Sequence, residues 1–164
     1  MQPTSIELLQ GMPVFGAIRD DTLRFLIGRA RQVQVAAGGF FCREGDRAES
    51  MFVLEAGHAE VLKNWQQREF VLHNLRAGDC FGEMALLDLS PRSASVRAVE
   101  PCRAIEIGAA DLLQLFEHDP EQFALIQMNI AREVCRRLRA TDELLFRISM
   151  GERGAIAGPW PRAA

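Results

Sequence analysis

From Val33 to Ile107 the apolar residues come in short runs that are closed by turn residues, and this rhythm constrains the fold more than any other feature. The runs are Val33–Val35, Phe40–Cys42, Met51–Leu54, Ala59–Leu62, Phe70–Leu75, Ser95–Val99 and Cys102–Ile107. Gly38-Gly39, Gly45-Asp46, Gly57 and Gly78-Asp79 separate them, and Asn64 to Arg68 reads as a polar hairpin tip. Runs this short, with glycine and aspartate at their ends, predict strands and not helices. Many short strands at such spacing predict an antiparallel sandwich or barrel. No internal repeat or low-complexity segment interrupts the pattern.

Helical periodicity flanks this region. Thr4 or Ser5 can cap a first helix over residues 4–10, which Gly11-Met12-Pro13 breaks. Asp20 or Asp21 opens a second helix to about Ala30, with Leu23, Leu26, Ile27 and Ala30 on one face. After Gly108 a helix runs from Ala109 to His118 and stops before Pro120. The longest helix then extends from Pro120 or Glu121 to about Leu145. Phe123, Ile126, Gln127, Ile130, Val134, Leu138, Thr141 and Leu145 fall near one side of it. The helical entry is thus placed at 4–30, the strands at 33–107, the C-terminal helices at 109–146, and one domain at 1–148. Residues 149–164, with Trp160 between two prolines, read as a flexible tail.

Composition removes several classes. With 48% hydrophobic and 25% charged residues, the chain has the balance of a globular domain. A net charge of -3 gives no global field to recruit nucleic acid or an anionic membrane. No apolar run reaches the length of a membrane span, and the first residues lack the pattern of a secretory signal, so cytoplasm is the expected location and no membrane partner is expected. Cys42, Cys80, Cys102 and Cys135 are scattered without a C-x-x-C pair, which argues against zinc and iron–sulfur sites.

One stretch carries chemistry. Phe81-Gly82-Glu83-Met84-Ala85-Leu86 leads through a short apolar helix to Pro91-Arg92-Ser93-Ala94-Ser95-Val96. Gly82 permits a tight turn and close approach of a ligand to the backbone. The first amides of the helix that follows have no partner inside it and suit an anion. Glu83 can accept hydrogen bonds from a sugar hydroxyl, and Arg92 offers a guanidinium fork for a phosphate. Together these residues describe a cradle for a phosphate and a sugar.

The string FGE-x-A-L followed by P-R-S-A-S-V resembles the phosphate-binding cassette of the cyclic nucleotide-binding domain family. Met12-Pro13-Val14-Phe15 resembles the entry to the same domain. The resemblance implies a mainly β fold with flanking helices: an eight-stranded antiparallel jelly-roll β-barrel with the cassette inserted between two strands. It implies a ligand, cAMP first and cGMP second, and no further cofactor. It assigns the phosphate to Arg92 and to the amides near Glu83, Met84 and Ala85. It gives the ribose 2′-hydroxyl to Glu83, with a backbone contact from Gly82. Ser93, beside Ala94, can reach the phosphate or turn toward the base. A guanidinium buried here is costly without an anion, so the ligand-free site should be strained, wet or reorganised.

The resemblance places the base against Val61, Leu72 and Leu75, for which core packing is the other reading. On the long helix Arg137 and Thr141 match residues that approach the base in the family, but Asp142 stands where a serine is expected. Asp142 could accept from N1–H and the exocyclic amine of guanine, as in channel members of the family, or it could face solvent. The implied role is a non-catalytic sensor whose long helix moves on binding to control a partner. That partner is a second copy joined through this helix or another effector, against the alternative of a helix packed on its own barrel. Arg132, Arg136, Arg137 and Arg139 form a basic cluster that reads as a solvated helix face. Nothing after Leu145 supplies the helix-turn-helix of transcription-factor members, so direct DNA binding is not expected. The same fold without nucleotide binding is a further alternative. His58, His73 and His118 are scattered, with no serine elbow, metal-ligand pair or phosphate loop, so an enzyme is not expected.

Overall fold

A computed structural model describes residues 5–150. Helix α1 spans Ser5–Gln10, a 3₁₀ turn Pro13–Phe15 and helix α2 Asp20–Arg29. Eight strands follow: β1 (Arg31–Val35), β2 (Phe40–Cys42), β3 (Ser50–Ala56), β4 (His58–Trp65), β5 (Arg68–Arg76), β6 (Cys80–Phe81), β7 (Ser95–Ala98) and β8 (Cys102–Gly108). Helix α3 (Met84–Asp88) interrupts the strands between β6 and β7, and α4 (Ala109–His118) and α5 (Pro120–Ser149) close the fold.

The strands form two antiparallel four-stranded sheets in the orders β1-β8-β3-β6 and β2-β7-β4-β5, the jelly-roll arrangement. Seven strands were legible as apolar runs; the eighth, β6, is only two residues long and carries no periodicity of its own. Helix α5 runs four residues past Leu145. Thr4 and all of the proposed tail except Ser149 and Met150 lie outside the described residues.

The central strands of the first sheet, β3 and β8, are largely buried on both faces, and strand alternation sorts their side chains into two cores. Met51 and Val53 of β3 and Ile105 and Ile107 of β8 face the helices, where they meet Leu23, Leu26, Leu115, Ile126 and Ile130. Phe52 and Leu54 of β3 and Ala104 of β8 face inward between the sheets, with Val61, Leu75, Phe81, Val96 and Ala98. Of the stripe expected on α2, Leu23 and Leu26 are buried, whereas Ile27 and Ala30 are only partly so.

The N-terminal half of α5 is fixed by more than apolar contact. Asp119 caps it, accepting from the Gln122 amide at 3.2 Å. The Gln122 side chain accepts from the Arg19 amide at 2.9 Å, and Asn129 donates to the Gly16 carbonyl at 2.9 Å. Beyond Ile130 no residue of the helix is fully buried.

The β4–β5 hairpin turns on Gln66 and Gln67, whose φ angles are +48° and +64°, the two-residue turn that asparagine and glycine favour. Left-handed backbone costs roughly 1–2 kcal/mol per residue with an ordinary side chain. Replacing the pair by Gln66→Asn with Gln67→Gly should therefore raise stability by about 1 kcal/mol in a denaturant titration; an unchanged or lower midpoint would show that the turn is not strained.

Candidate ligand-binding site

The site is built where β6 ends. Gly82 adopts φ +79°, and a Cβ on it would lie 2.3 Å from Arg92 Nη1. Glycine is thus required both by the turn and by the guanidinium packed against it. Glu83 precedes α3, and Leu89, with φ +56°, ends that helix in a left-handed cap. The chain then returns through Ser90 and Pro91 to Arg92. The backbone of Arg92 is pinned by the β2–β3 loop: its amide donates to Asp46 O at 2.9 Å and its carbonyl accepts from Gly45 N at 2.8 Å. Lys63 Nζ donates to Ser93 O at 2.6 Å and pairs with Glu44 at 2.5 Å, which fixes the exit toward β7.

Two buried charges face this turn. Arg92 is 7% exposed. Its Nη1 donates to the Gly82 carbonyl at 3.0 Å, its Nη2 to Ser50 Oγ at 3.2 Å, and its Cζ lies 5.4 Å from the centroid of the Phe52 ring. Its Nε is buried without a partner. Glu83 is 1% exposed. Its Oε1 accepts from Arg137 Nη1 of α5, and its Oε2 is buried without a partner. Burial pushes the Glu83 carboxyl up from its ordinary value, against the pull of Arg137. Burial works to lower the Arg137 pKa, but Glu83, Cys80 and Glu133 outweigh it and hold the guanidinium charged. Arg137 also donates through Nε to Glu133 Oε1 at 3.3 Å and through Nη2 to Cys80 O at 3.4 Å. The Cys80 thiol, pushed by burial up to about 12, is an inert packing group.

A cavity opens between the turn, the second sheet and α5. Gly82, Glu83, Met84, Ala85, Arg92, Ser93 and Ala94 line it from the cassette, Val61 from β4 and Arg137 from α5. Asp88 lines it too, and Arg137 is paired with Glu83, whereas no carboxylate among the described residues pairs with Arg92, whose charge is left for a phosphodiester monoanion.

Other expected residues lie elsewhere. Leu72 is 57% exposed and does not line the cavity. A bulge between Val61 and Leu62 sets His73 opposite Val61, so His73 lines the wall that Leu72 was expected to supply. Leu75 is buried in the inner core. Thr141 donates its hydroxyl to the Arg137 carbonyl at 3.0 Å, one turn back along α5, and does not line the cavity. Asp142 is exposed and does not line it either. The basic cluster is largely paired along its own helix: Arg132 donates to Asn129 and Arg136 to Glu133.

Among the residues around the site that were not foreseen from the sequence, two had a signal. His73 had a signal, because it stands two residues from Leu75 and period-two alternation puts both on one face. Glu133, four residues before Arg137, also had one in the helical spacing of an acid and an arginine.

The pattern of residues 32–119 matches the family described as "Cyclic nucleotide-binding domain". The chain belongs to the cyclic nucleotide-binding domain family. It is 29% identical over 126 residues to the cAMP-activated global transcriptional regulator CRP of Salmonella typhimurium, covering 76% of this chain and 58% of that protein. It is also 29% identical over 100 residues to the cAMP-dependent protein kinase regulatory subunit of Emericella nidulans, covering 61% of this chain and 24% of that one. The chain thus spans less than two thirds of the length of these curated relatives. Among solved structures, the Thermus thermophilus catabolite activator protein superposes with a TM-score of 0.74 at 28% identity, over 84% of this chain and 63% of that one. No helix among the described residues is long and apolar enough to cross a membrane.

Within this cyclic nucleotide-binding domain, His73 gives the cavity a pH dependence. Burial, assisted by the charge of Arg137, lowers its pKa from the ordinary 6.5. Below about pH 6.5 the unfolded chain then binds the proton more readily than the folded one, so stability falls as the pH drops through the window down to the folded value. His73→Gln should remove that contribution. The difference in melting temperature between variant and parent should shift in favour of the variant between about pH 7 and pH 5; curves that stay parallel would show that His73 does not titrate differently on folding.

Proposed function

We propose that this domain is a cAMP-binding sensor, with Arg92 as the phosphate ligand and Glu83 as the ribose ligand. One observation carries the reading. A buried guanidinium and a buried carboxylate line the same cavity, and each keeps a polar atom, Arg92 Nε and Glu83 Oε2, without a partner. Buried polar atoms are nearly always satisfied, so two orphans in one cavity point to a ligand that completes them. A cyclic nucleotide supplies both partners, an anionic oxygen for Arg92 and the 2′-hydroxyl for Glu83 Oε2. The amides at the start of α3 and Ser93 add to the phosphate side, while Val61 and His73 border the base. Met84, Ala85 and Ala94 shape the pocket between them. No further cofactor is called for, and the reading needs no catalytic step. The names of the relatives, cAMP-activated and cAMP-dependent, favour cAMP over cGMP.

Binding is transmitted through Arg137. That residue holds α5 to Glu83, the carboxylate that the ribose also engages, so the ligand has different affinities for different positions of the helix. The output is pairing with a second copy. Val134, Leu138, Thr141, Leu145 and Ile148 repeat at spacings of four and three, the seam of a two-helix coil. Leu138 and Leu145 on that seam are each 59% exposed.

A thermal-shift titration tests the ligand. At about a hundred times its dissociation constant a ligand adds roughly 2.7 kcal/mol of stability, and cAMP should do so more effectively than cGMP, with 5′-AMP inactive. Arg92→Ala should lose the shift while melting no lower than the parent without ligand. A preference for cGMP would make Ser93 and Asp142 the selectivity pair, and no shift with either nucleotide would overturn the reading.

Sedimentation tests the output. The parent should sediment as a dimer with cAMP, and Leu138→Glu with Leu145→Glu should give a monomer that still binds the nucleotide. A monomeric parent would point to a different effector.

A further inference from the structure

We infer that Ser50 is a positioning residue for the Arg92 guanidinium and that Glu106 fixes the direction of the Ser50 hydroxyl; this rests on the reading of Arg92 as the phosphate ligand. Ser50 opens β3, is buried, and lies between the two charged groups. Arg92 Nη2 donates to Ser50 Oγ at 3.2 Å, and Ser50 Oγ donates to Glu106 Oε1 at 2.8 Å. Glu106 in turn accepts through Oε2 from Arg31, at 2.8 Å from Nε and 2.5 Å from Nη2.

The chemistry of the end groups leaves the hydroxyl one orientation. A guanidinium can only donate and a carboxylate can only accept. The Ser50 proton must therefore point at Glu106, and a lone pair must point at Arg92. The relay passes the negative charge of β8 to the cassette arginine without a direct ion pair. A direct pair would neutralise Arg92 and compete with a phosphate. A hydroxyl between them orients the guanidinium yet leaves its charge for the ligand.

Three contacts then fix Arg92 before any ligand arrives: Gly82 O on Nη1, Ser50 Oγ on Nη2, and the Phe52 ring against its face. The unpartnered Nε and the second hydrogen of each Nη remain for the anion. A guanidinium held in this way loses less freedom on binding than one that must be ordered by the phosphate.

The test is calorimetric titration of the full chain with cAMP and with cGMP, using Ser50→Ala, Ser50→Thr and the same changes in an Arg92→Lys background. Ser50→Ala should weaken binding about tenfold, the scale of one hydrogen bond to a charged group, and Ser50→Thr, which keeps the hydroxyl, should restore it. A lysine cannot span the Gly82 and Ser50 anchors, so in the Arg92→Lys background Ser50→Ala should cost nothing further. Such non-additivity separates positioning from a general loss of stability, which would act equally in both backgrounds. Full affinity in Ser50→Ala, or equal losses in both backgrounds, would overturn the inference while leaving the sensor reading intact. A parent chain that binds neither nucleotide would overturn the sensor reading, and this inference with it.

Discussion

The site depends on one close contact, the Arg92 guanidinium lying against the backbone of Gly82. Any side chain at Gly82 would meet Nη1 at 2.3 Å, so the glycine, the turn it permits and the buried arginine are a single unit. Burying a guanidinium beside neutral oxygen atoms is costly, because two hydrogen bonds to a carbonyl and a hydroxyl do not replace a full hydration shell. The structure tolerates it by anchoring the arginine's backbone to the β2–β3 loop, through Gly45 and Asp46, and its side chain to β3. The inner core supports the same point from below, where Phe41, Phe52 and Phe81 pack with ring centroids 5.1–5.7 Å apart. Stability of the barrel and poise of the site are therefore not separable here: the aromatic cluster that fills the space between the sheets is also the floor beneath the guanidinium.

The second charge is handled differently. Glu83 is more deeply buried than Arg92 and has a charged partner, Arg137 on α5. Its carboxyl is pushed up by burial and pulled back by that arginine, so its ionisation and the position of the helix are linked. The two charges thus divide the work within the proposed sensor. Arg92 is held by fixed elements and can recognise an anion at little reorganisation. Glu83 is held by α5, the helix proposed to respond when the sugar arrives.

Much of this was legible in the sequence, and the reason is steric. Gly82 occupies a position that no side chain can fill, and Glu83 and Arg92 are the charged groups that the turn at Gly82 brings together, so their order along the chain carries the geometry. The strands were legible wherever their apolar runs exceeded two residues, and β6 was not. Base contacts were less legible. Leu72 was nominated together with Leu75, yet the two are three residues apart and an undisturbed strand sends them to opposite faces. His73, two residues from Leu75, keeps the inward alternation, and Leu72 is the residue that the β4–β5 register shift leaves out of the pairing. Thr141 and Asp142 could be placed on a helix, but whether a helix residue reaches into a cavity depends on the position of the whole helix. Ser50 was silent, since a serine opening a strand is common and its role appears only when Arg92 and Glu106 are seen on either side of it.

The distribution of contacts along α5 explains why a ligand could move one part of this helix and leave the rest in place. Ile126 and Ile130 are fully buried, each contributing about 1.5–3 kcal/mol by burial, and Asn129 adds a hydrogen bond to Gly16. Past Ile130 no residue of the helix is fully buried, and Arg137, with a side chain 25% exposed, reaches the barrel at Glu83 and at the Cys80 carbonyl. That pair is mostly buried, so its strength rests on the geometry of the two charges and not on apolar burial. The N-terminal half is consequently part of the core, and the C-terminal half is tied through Arg137 to Cys80 and to Glu83, the carboxylate proposed to bind the ribose. In the proposed sensor, a ligand that engages Glu83 therefore acts on the half of the helix that lies outside the core.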